Sequence, residues 1–93
     1  MIKNAKKLFT ALDNSTIKGK YRTAAIAQLQ KNTELRPTDI VQATGIDRIR
    51  LYEALRDLKA VNLVTSRREG KETHYKLNKA VFNKAIDFAH SLK

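Results

Sequence analysis

Residues 37–77 read PTDIVQATGIDRIRLYEALRDLKAVNLVTSRREGKETHYKL, and this stretch decides the fold. Pro37 suits the first turn of a short helix, because proline has no N–H to leave unpaired there, and Gly45 suits its end. A second helix is predicted over about 47–60, with Asp47 as its capping residue. One face of this helix is apolar at spacings of three and four residues, through Leu51, Ala54, Leu55 and Leu58. The segment therefore predicts two helices joined by a tight turn at Gly45.

A charged β-hairpin is predicted directly after these helices, over about 64–77. Asn62 suits the end of the preceding helix, because asparagine tolerates left-handed backbone better than most residues. Thr73, Tyr75 and Leu77 alternate with polar residues, which is the period of a half-buried strand. Because Tyr75 is in phase with Leu77, we expect it to join the core rather than to stack on a nucleic-acid base.

Helices are also predicted on both sides of this central segment. Apolar residues at helical spacing indicate a helix over about 2–13, and a second follows over about 20–31, with Gly19 marking its start. Asn78 suits the beginning of a final helix. Residues 1–93 therefore form one domain, in which 1–13 and 78–93 are flanking helices.

The charge balance favours a polyanionic partner. Nineteen Lys and Arg stand against nine Asp and Glu, which gives a net charge of +10 on 93 residues. Inside a cell the commonest polyanion is nucleic acid. The sequence has no cysteine and no signal peptide, which favours a cytoplasmic protein of a prokaryotic cell, or of a virus or plasmid within one. It also has no long apolar stretch, so no membrane partner is expected.

The central segment resembles the winged helix-turn-helix of bacterial and archaeal transcription regulators, above all the arsenic-repressor (ArsR-type) family and its archaeal relatives. Residues 39–46 (DIVQATGI) look like the family's second helix and turn. Residues 51–64 (LxxALxxLxxVxLV) look like its recognition helix, and residues 67–77 (RREGKETHYKL) look like its wing. The resemblance implies a mainly α fold with a small β-hairpin, a winged helix-turn-helix with extra N- and C-terminal helices.

No metal, cofactor or catalytic site is expected. The family's metal-sensing cysteine pair is missing, and of its terminal-helix metal site only Asp87 and His90 remain, whereas zinc needs three or four ligands. The sequence contains no Gly-rich phosphate loop and no arrangement of nucleophile and base, so an enzyme is not predicted.

The resemblance and the charge together predict contacts with double-stranded DNA. Exposed residues near the start of the recognition helix can reach base edges, because a major groove admits one α-helix. Cations of the wing are placed to contact phosphate or a narrow minor groove. The predicted DNA-contacting residues are Arg48, Arg50, Tyr52, Glu53, Arg56, Arg67, Arg68 and Lys71, with Arg36 and Lys20 as weaker candidates. Alternatives remain open for some of them: Glu53 can pair with Arg50 or Arg56, and the wing charges can serve to discourage strand pairing.

The flanking helices predict a homodimer. A domain this small has little surface to bury their apolar residues against, so we expect a second copy to cover them. The predicted interface residues are Leu8, Phe9, Leu12, Val81, Phe82, Ile86, Phe88 and Leu92.

The whole pattern predicts a sequence-specific DNA-binding transcription regulator that acts as a repressor. Two alternatives stay open: a sequence-tolerant architectural DNA-binding protein, and a winged-helix adaptor for other proteins.

Overall fold

Residues 11–13 and 15–91 are described by a computed structural model, with side chains up to residue 87. The elements follow in the order α1 (Ile17–Lys31), α2 (Pro37–Thr44), α3 (Arg48–Ala60), β1 (Val64–Glu69), β2 (Glu72–Leu77) and α4 (Lys79–Ser91). The helix predicted over 2–13 lies outside the described residues, apart from Ala11 and Leu12, which are helical. The mainly α fold with one small hairpin is confirmed.

Helix α1 begins earlier than the sequence suggested. Thr16 caps it, since its Oγ1 accepts a hydrogen bond from the N–H of Gly19 at 2.9 Å. The prediction that Gly19 marks the start of the helix is wrong, because this glycine lies buried in the first turn. A Cβ at Gly19 would collide with the carbonyl oxygen of Asp13. Glycine is therefore needed here for a close approach of two backbone segments.

The pair of helices α2 and α3 is confirmed, with one correction to its capping. Helix α2 begins at Pro37 and ends at Thr44, and Gly45 follows as its C-cap with left-handed backbone, φ 74°. Asp47 occupies the N-cap position of α3, but its side chain makes no capping hydrogen bond. Its carboxylate instead accepts a hydrogen bond from Arg50 at 3.1 Å. Asn62 lies just after α3 with φ 64°, as its residue type predicted.

Strands β1 and β2 form an antiparallel hairpin, called here the wing, with pairs running from Val64↔Leu77 to Glu69↔Glu72. Because side chains alternate across a strand, the wing has two faces. The inner face starts from buried Val64 and Leu77 and continues through Ser66 and Tyr75 to Arg68 and Thr73. The outer face carries Thr65, Arg67 and Glu69 opposite Lys76, His74 and Glu72.

A short segment before α2 extends this sheet. Leu35 and Tyr75 exchange backbone hydrogen bonds, with N–O distances of 2.9 and 2.7 Å. This isolated bridge adds Leu35 to the edge of the hairpin beside β2. It also places Glu34 and Arg36 on either side of the bridge, beside the wing.

The core lies where α1, α2, α3 and the base of the wing meet. Its largest fully buried side chains are Leu29, Ile40, Leu51, Leu55, Leu58, Leu63 and Val64. Arg22 is buried among them. Its Nε donates to the carbonyl oxygen of Ala11 at 3.0 Å, and its Nη1 pairs with Asp57 at 3.4 Å. Arg22 thus links the segment before α1 to helix α3.

Candidate nucleic-acid interface

Helix α3 is held on three sides and open on the fourth. One stripe is buried in the core. On the side of α1, Asp57 pairs with Arg22, and the guanidinium of Arg50 lies 5.9 Å from the ring centroid of Tyr21. On the side of the wing, Nζ of Lys59 donates to Oγ of Ser66 at 2.7 Å. The helix is therefore fixed with its remaining side facing solvent.

The solvent-facing side of α3 carries Ile49, Glu53 and Arg56. At about 100° per residue, Ile49 lies about 170° round the helix from the middle of the buried stripe. All three residues are exposed, and the side chain of Ile49 is 72% exposed. We refer to Ile49, Glu53 and Arg56 as the outward ridge of α3.

Several cations of α3 and of the wing have no carboxylate partner among the described residues. Within the described part of the chain, Arg48, Arg56 and Lys71 are exposed and make no hydrogen bond or ion pair through their side chains. Arg68 donates only to the carbonyl oxygen of Gly70, at 3.3 Å. These four cations lie on α3 and on the distal half of the wing, and none of them is neutralised by a described carboxylate.

Three of the predicted DNA-contacting cations, Arg36, Arg50 and Arg67, are instead engaged in ion pairs. Arg67 donates to both carboxylate oxygens of Glu34, at 2.9 and 2.8 Å, and to Glu69 at 2.7 Å. Arg36 is bonded to Asp39 and, at 3.0 Å, to Glu72. The hydrogen bonds from Arg67 lower the pKa of Glu34 and of Glu69 below their ordinary value of 4.5. The pairs of Arg36 and Arg67 tie the outer face of the wing to the segment before α2.

Arg50 is positioned by two neighbours. Its Nη1 donates to Asp47 at 3.1 Å, and its guanidinium lies over Tyr21, a cation–π geometry. The hydrogen bond with Asp47 raises the pKa of Arg50 and lowers that of Asp47. Arg50 and Tyr21 also line a cleft of about 240 Å³ between α1 and α3. Lys20, the remaining basic candidate, is exposed on α1.

Two tyrosines occupy the junction between α3 and the wing. Tyr52 is 47% exposed, whereas Tyr75 is half-buried and packs against the core, as predicted. Burial, followed by the proximity of Tyr52, raises the pKa of Tyr75. This junction joins the outward ridge of α3 to the inner face of the wing.

The described side chains, which end at residue 87, include no group of three or more metal-ligating residues arranged to bind an ion. His74 lies 3.9 Å from carboxylate oxygens of Glu34, Glu69 and Glu72 on the outer face of the wing. In the described part of the chain no helix is both long and apolar enough to cross a membrane.

The predicted dimer residues are only partly described. Leu8, Phe9 and Leu92 lie outside the described residues, as does the side chain of Phe88. Leu12, Val81 and Phe82 are partly buried against the core of the same chain. Ile86 is 37% exposed on α4. Three of the side chains predicted to lie in a dimer interface therefore also pack within the subunit.

Three residues of the site were missed in the sequence. Ile49 has no polar or aromatic group, so its residue type alone does not indicate a contact with DNA. Glu34 and Arg22 act through partners 33 and 35 residues away in the chain, which no local pattern reveals.

Solved structures share this fold, although no protein-family model and no curated protein sequence matches the chain. HlyU from Vibrio cholerae N16961 is 25% identical, with a TM-score of 0.73 over 99% of this chain and 97% of that one. An ArsR-like transcriptional regulator from Rhodococcus sp. RHA1 is 22% identical, with a TM-score of 0.73 over 95% of this chain and 77% of that one.

A third similar structure is the homodimeric winged helix-turn-helix DNA-binding domain of Mb0332 from Mycobacterium bovis. It is 24% identical, with a TM-score of 0.73 over 94% of this chain and 76% of that one. Helices α2 and α3 form the helix-turn-helix and β1 and β2 form the wing of the same architecture. The chain therefore has the winged helix-turn-helix fold of the ArsR-type transcription regulators, which it resembles over nearly all of its length.

Proposed function

We propose that this chain is a sequence-specific DNA-binding transcription regulator that acts as a homodimer and represses by occluding a promoter. Helix α3 enters the major groove, and the wing lies on the phosphate backbone or in the adjacent minor groove. One observation carries the proposal: Arg48 and Arg56 on α3 and Arg68 and Lys71 on the wing are exposed and have no carboxylate partner among the described residues.

Cations without carboxylate partners contribute the most binding free energy when they contact DNA phosphates. An arginine already bonded to a carboxylate must lose that bond before it neutralises a phosphate, whereas a solvated arginine releases counterions from the DNA directly. We therefore propose Arg48 and Arg56, together with Tyr52 and Glu53, as residues at or near base edges, and Arg68 and Lys71 as wing contacts. Arg50 is bonded to Asp47, and we propose it at a base edge for a different reason: Asp47 and Tyr21 hold its guanidinium in the first turn of α3. Arg36 and Arg67 act mainly by holding the wing, and Lys20 is a peripheral phosphate contact.

Dimerisation is supported by the M. bovis domain, which is described as homodimeric, and by the apolar character of α4. The exposed side chain of Ile86 suits a symmetric contact through α4 and the N-terminal segment. A two-fold axis of this kind would place two α3 helices about 34 Å apart, one turn of DNA.

Selection of bound sequences from random double-stranded DNA tests the proposal. The expected outcome is a repeated half-site whose two copies lie about one turn apart. A variant with Arg48→Ala and Arg56→Ala should lose this enrichment. A matched control is Lys31→Ala, which removes an exposed cation at the far end of α1. Tight binding without an enriched motif would favour an architectural protein, and no binding would favour an adaptor.

The oligomeric state is tested by sedimentation of the full chain at micromolar concentration. Replacing Ile86 by Lys should shift the distribution towards monomer, because it buries a charge in an apolar interface. Lys84→Ala, two residues away on α4, is the control and should leave the distribution unchanged. A wild-type chain that is monomeric at tens of micromolar, on the order of assay concentrations, would contradict the dimer.

A further inference from the structure

Ile49 is a largely exposed apolar residue on a side of α3 that otherwise carries charged residues. It lies in the first turn of α3, directly opposite the buried stripe, and 72% of its surface is exposed. Arg48 precedes it, and Arg56 follows it two turns later on the same side of the helix. The outward ridge therefore carries an aliphatic side chain at its N-terminal end, and the unpaired cations Arg48 and Arg56 and the carboxylate of Glu53 are exposed on the same side of the helix.

Neither folding nor helix formation accounts for an isoleucine there. A side chain this exposed contributes little to the core, since stabilisation follows the apolar area removed from water. β-Branched residues are also weaker helix formers than Lys, Glu or Ala, because their side chains lose rotational freedom against the preceding turn. The same stiffness holds the two branches of Ile49 in a defined position on the surface, which favours a role in contact with a partner.

The charges around Ile49 select the kind of partner. A protein surface that covered Ile49 would also have to accommodate Arg48 and Arg56, which lack carboxylate partners among the described residues and outnumber the one carboxylate of the ridge, Glu53. DNA meets both needs, because phosphates flank the major groove and each thymine presents an apolar C5 methyl group within it. Thymine is the base whose groove edge carries such a methyl in unmodified DNA.

We propose that Ile49 makes an apolar contact with a thymine methyl group in the major groove and so sets a preference for thymine at one position of each half-site. The proposal rests on the DNA-binding function above and assigns to Ile49 a role in specificity. The flanking arginines provide affinity and orientation, and the contact of Ile49 distinguishes A·T from T·A at its position.

Removing the methyl group from the DNA tests the contact without disturbing base pairing. The probes are duplexes of the site selected by the wild-type chain, in which each thymidine in turn is replaced by deoxyuridine. At one position per half-site, the wild-type chain should bind about fourfold more weakly, and about 15-fold more weakly when both half-sites are changed. Ile49→Ala should bind the thymidine and deoxyuridine duplexes equally, and Ile49→Val should keep most of the difference.

Two controls separate this proposal from the function on which it rests. The affinity of Ile49→Ala for a scrambled duplex should equal that of the wild-type chain, and its melting temperature should not fall, because Ile49 is exposed and alanine is the better helix former. Equal wild-type binding to every deoxyuridine probe would overturn the methyl contact while leaving DNA binding intact. If deoxyuridine weakens the binding of Ile49→Ala as much as that of the wild-type chain, another residue contacts the methyl group. Failure of the wild-type chain to bind any duplex would overturn the proposed function itself.

Discussion

Arg67 and Glu34, 33 residues apart in the chain, form a two-pronged ion pair, with Nε–Oε2 at 2.9 Å and Nη2–Oε1 at 2.8 Å. Glu34 precedes the backbone bridge between Leu35 and Tyr75, so the pair and the bridge join the wing to the same segment. The orientation of the wing beside α3 is therefore fixed by a side-chain pair as well as by the backbone.

This ion pair should make a contribution to stability that disappears in acid. Arg67 lowers the pKa of Glu34 below 4.5 in the folded chain, so folding favours the ionised carboxylate. That contribution is fully present above pH 4.5 and is lost as the pH falls through the lower folded-state pKa. Glu34→Gln should therefore be less stable than the wild-type chain at pH 7, by a small amount because the pair is exposed, and the difference should shrink below pH 4.5.

Urea unfolding at a series of pH values measures this difference. Glu53→Gln is the matched control, because Glu53 is an exposed carboxylate with no ion pair among the described residues, and its difference from wild type should stay nearly constant. Parallel pH curves for Glu34→Gln and the wild-type chain would show that the ion pair does not stabilise the wing.

Arg67 and Arg68 are neighbours on opposite faces of the wing, and they should behave differently toward DNA. Arg68 lies on the inner face and donates only to a backbone carbonyl, so it is available to a phosphate. Arg68→Ala should lower the slope of log affinity against log salt concentration by about one. Arg67→Ala should leave this slope nearly unchanged. Equal changes of slope in the two variants would mean that the ion pair with Glu34 opens on binding.

Gly19 should be required even though alanine is a better helix former. Replacing an exposed helical glycine by alanine normally stabilises by about 1 kcal/mol. At Gly19 the added Cβ meets the carbonyl oxygen of Asp13, so Gly19→Ala should lower the melting temperature. Lys20→Ala is the control at the next, exposed position and should change it little. A higher melting temperature for Gly19→Ala would mean that the segment before α1 is not packed on this turn.

The elements that could be predicted from the sequence are those with local signals. Pro37 and Gly45 bound α2, and Asn62 follows α3, because proline, glycine and asparagine have backbone preferences that neighbouring residues do not override. The wing followed from the alternation of residues in its second strand, and in the structure Gly70 in its turn has a φ of 62°. A helix-turn-helix followed by a hairpin could be deduced from these signals alone.

What could not be predicted depends on contacts between distant residues. Arg36 pairs with Glu72, and Arg67 pairs with Glu34. Because no local sequence pattern reveals these pairs, both arginines were predicted to contact DNA together with the unpaired cations. Gly19 was interpreted as a helix start because its collision partner, Asp13, lies on a separate segment. Asp47 was assigned to capping, but Arg50 competes successfully for its carboxylate.

Arg50 and Lys71 should differ in what they contribute to recognition. Arg50 is held by Asp47 and Tyr21 in the first turn of α3, where a recognition helix meets base edges, and a guanidinium can fork onto guanine. Lys71 lies in the turn of the wing, where contacts with phosphate carry no sequence information. Arg50→Ala should therefore weaken binding to the selected site about 5- to 140-fold and relax the preference at one base pair, with a much smaller loss on scrambled DNA. Arg48→Ala should follow the same pattern.

Lys71→Ala should weaken binding to both duplexes nearly equally and lower the salt slope by about one. Tyr21→Leu, which removes the ring beneath Arg50 without touching its charge, should reproduce part of the loss on the selected site alone. The measurement is the affinity of each variant for selected and scrambled duplexes across a salt series. Equal losses on both duplexes for Arg48→Ala and Arg50→Ala would exclude base reading by these residues, because a cation that contacts only phosphate is indifferent to sequence. No loss for Arg48→Ala, Arg50→Ala, Arg68→Ala or Lys71→Ala would exclude DNA binding by this face and favour a protein partner.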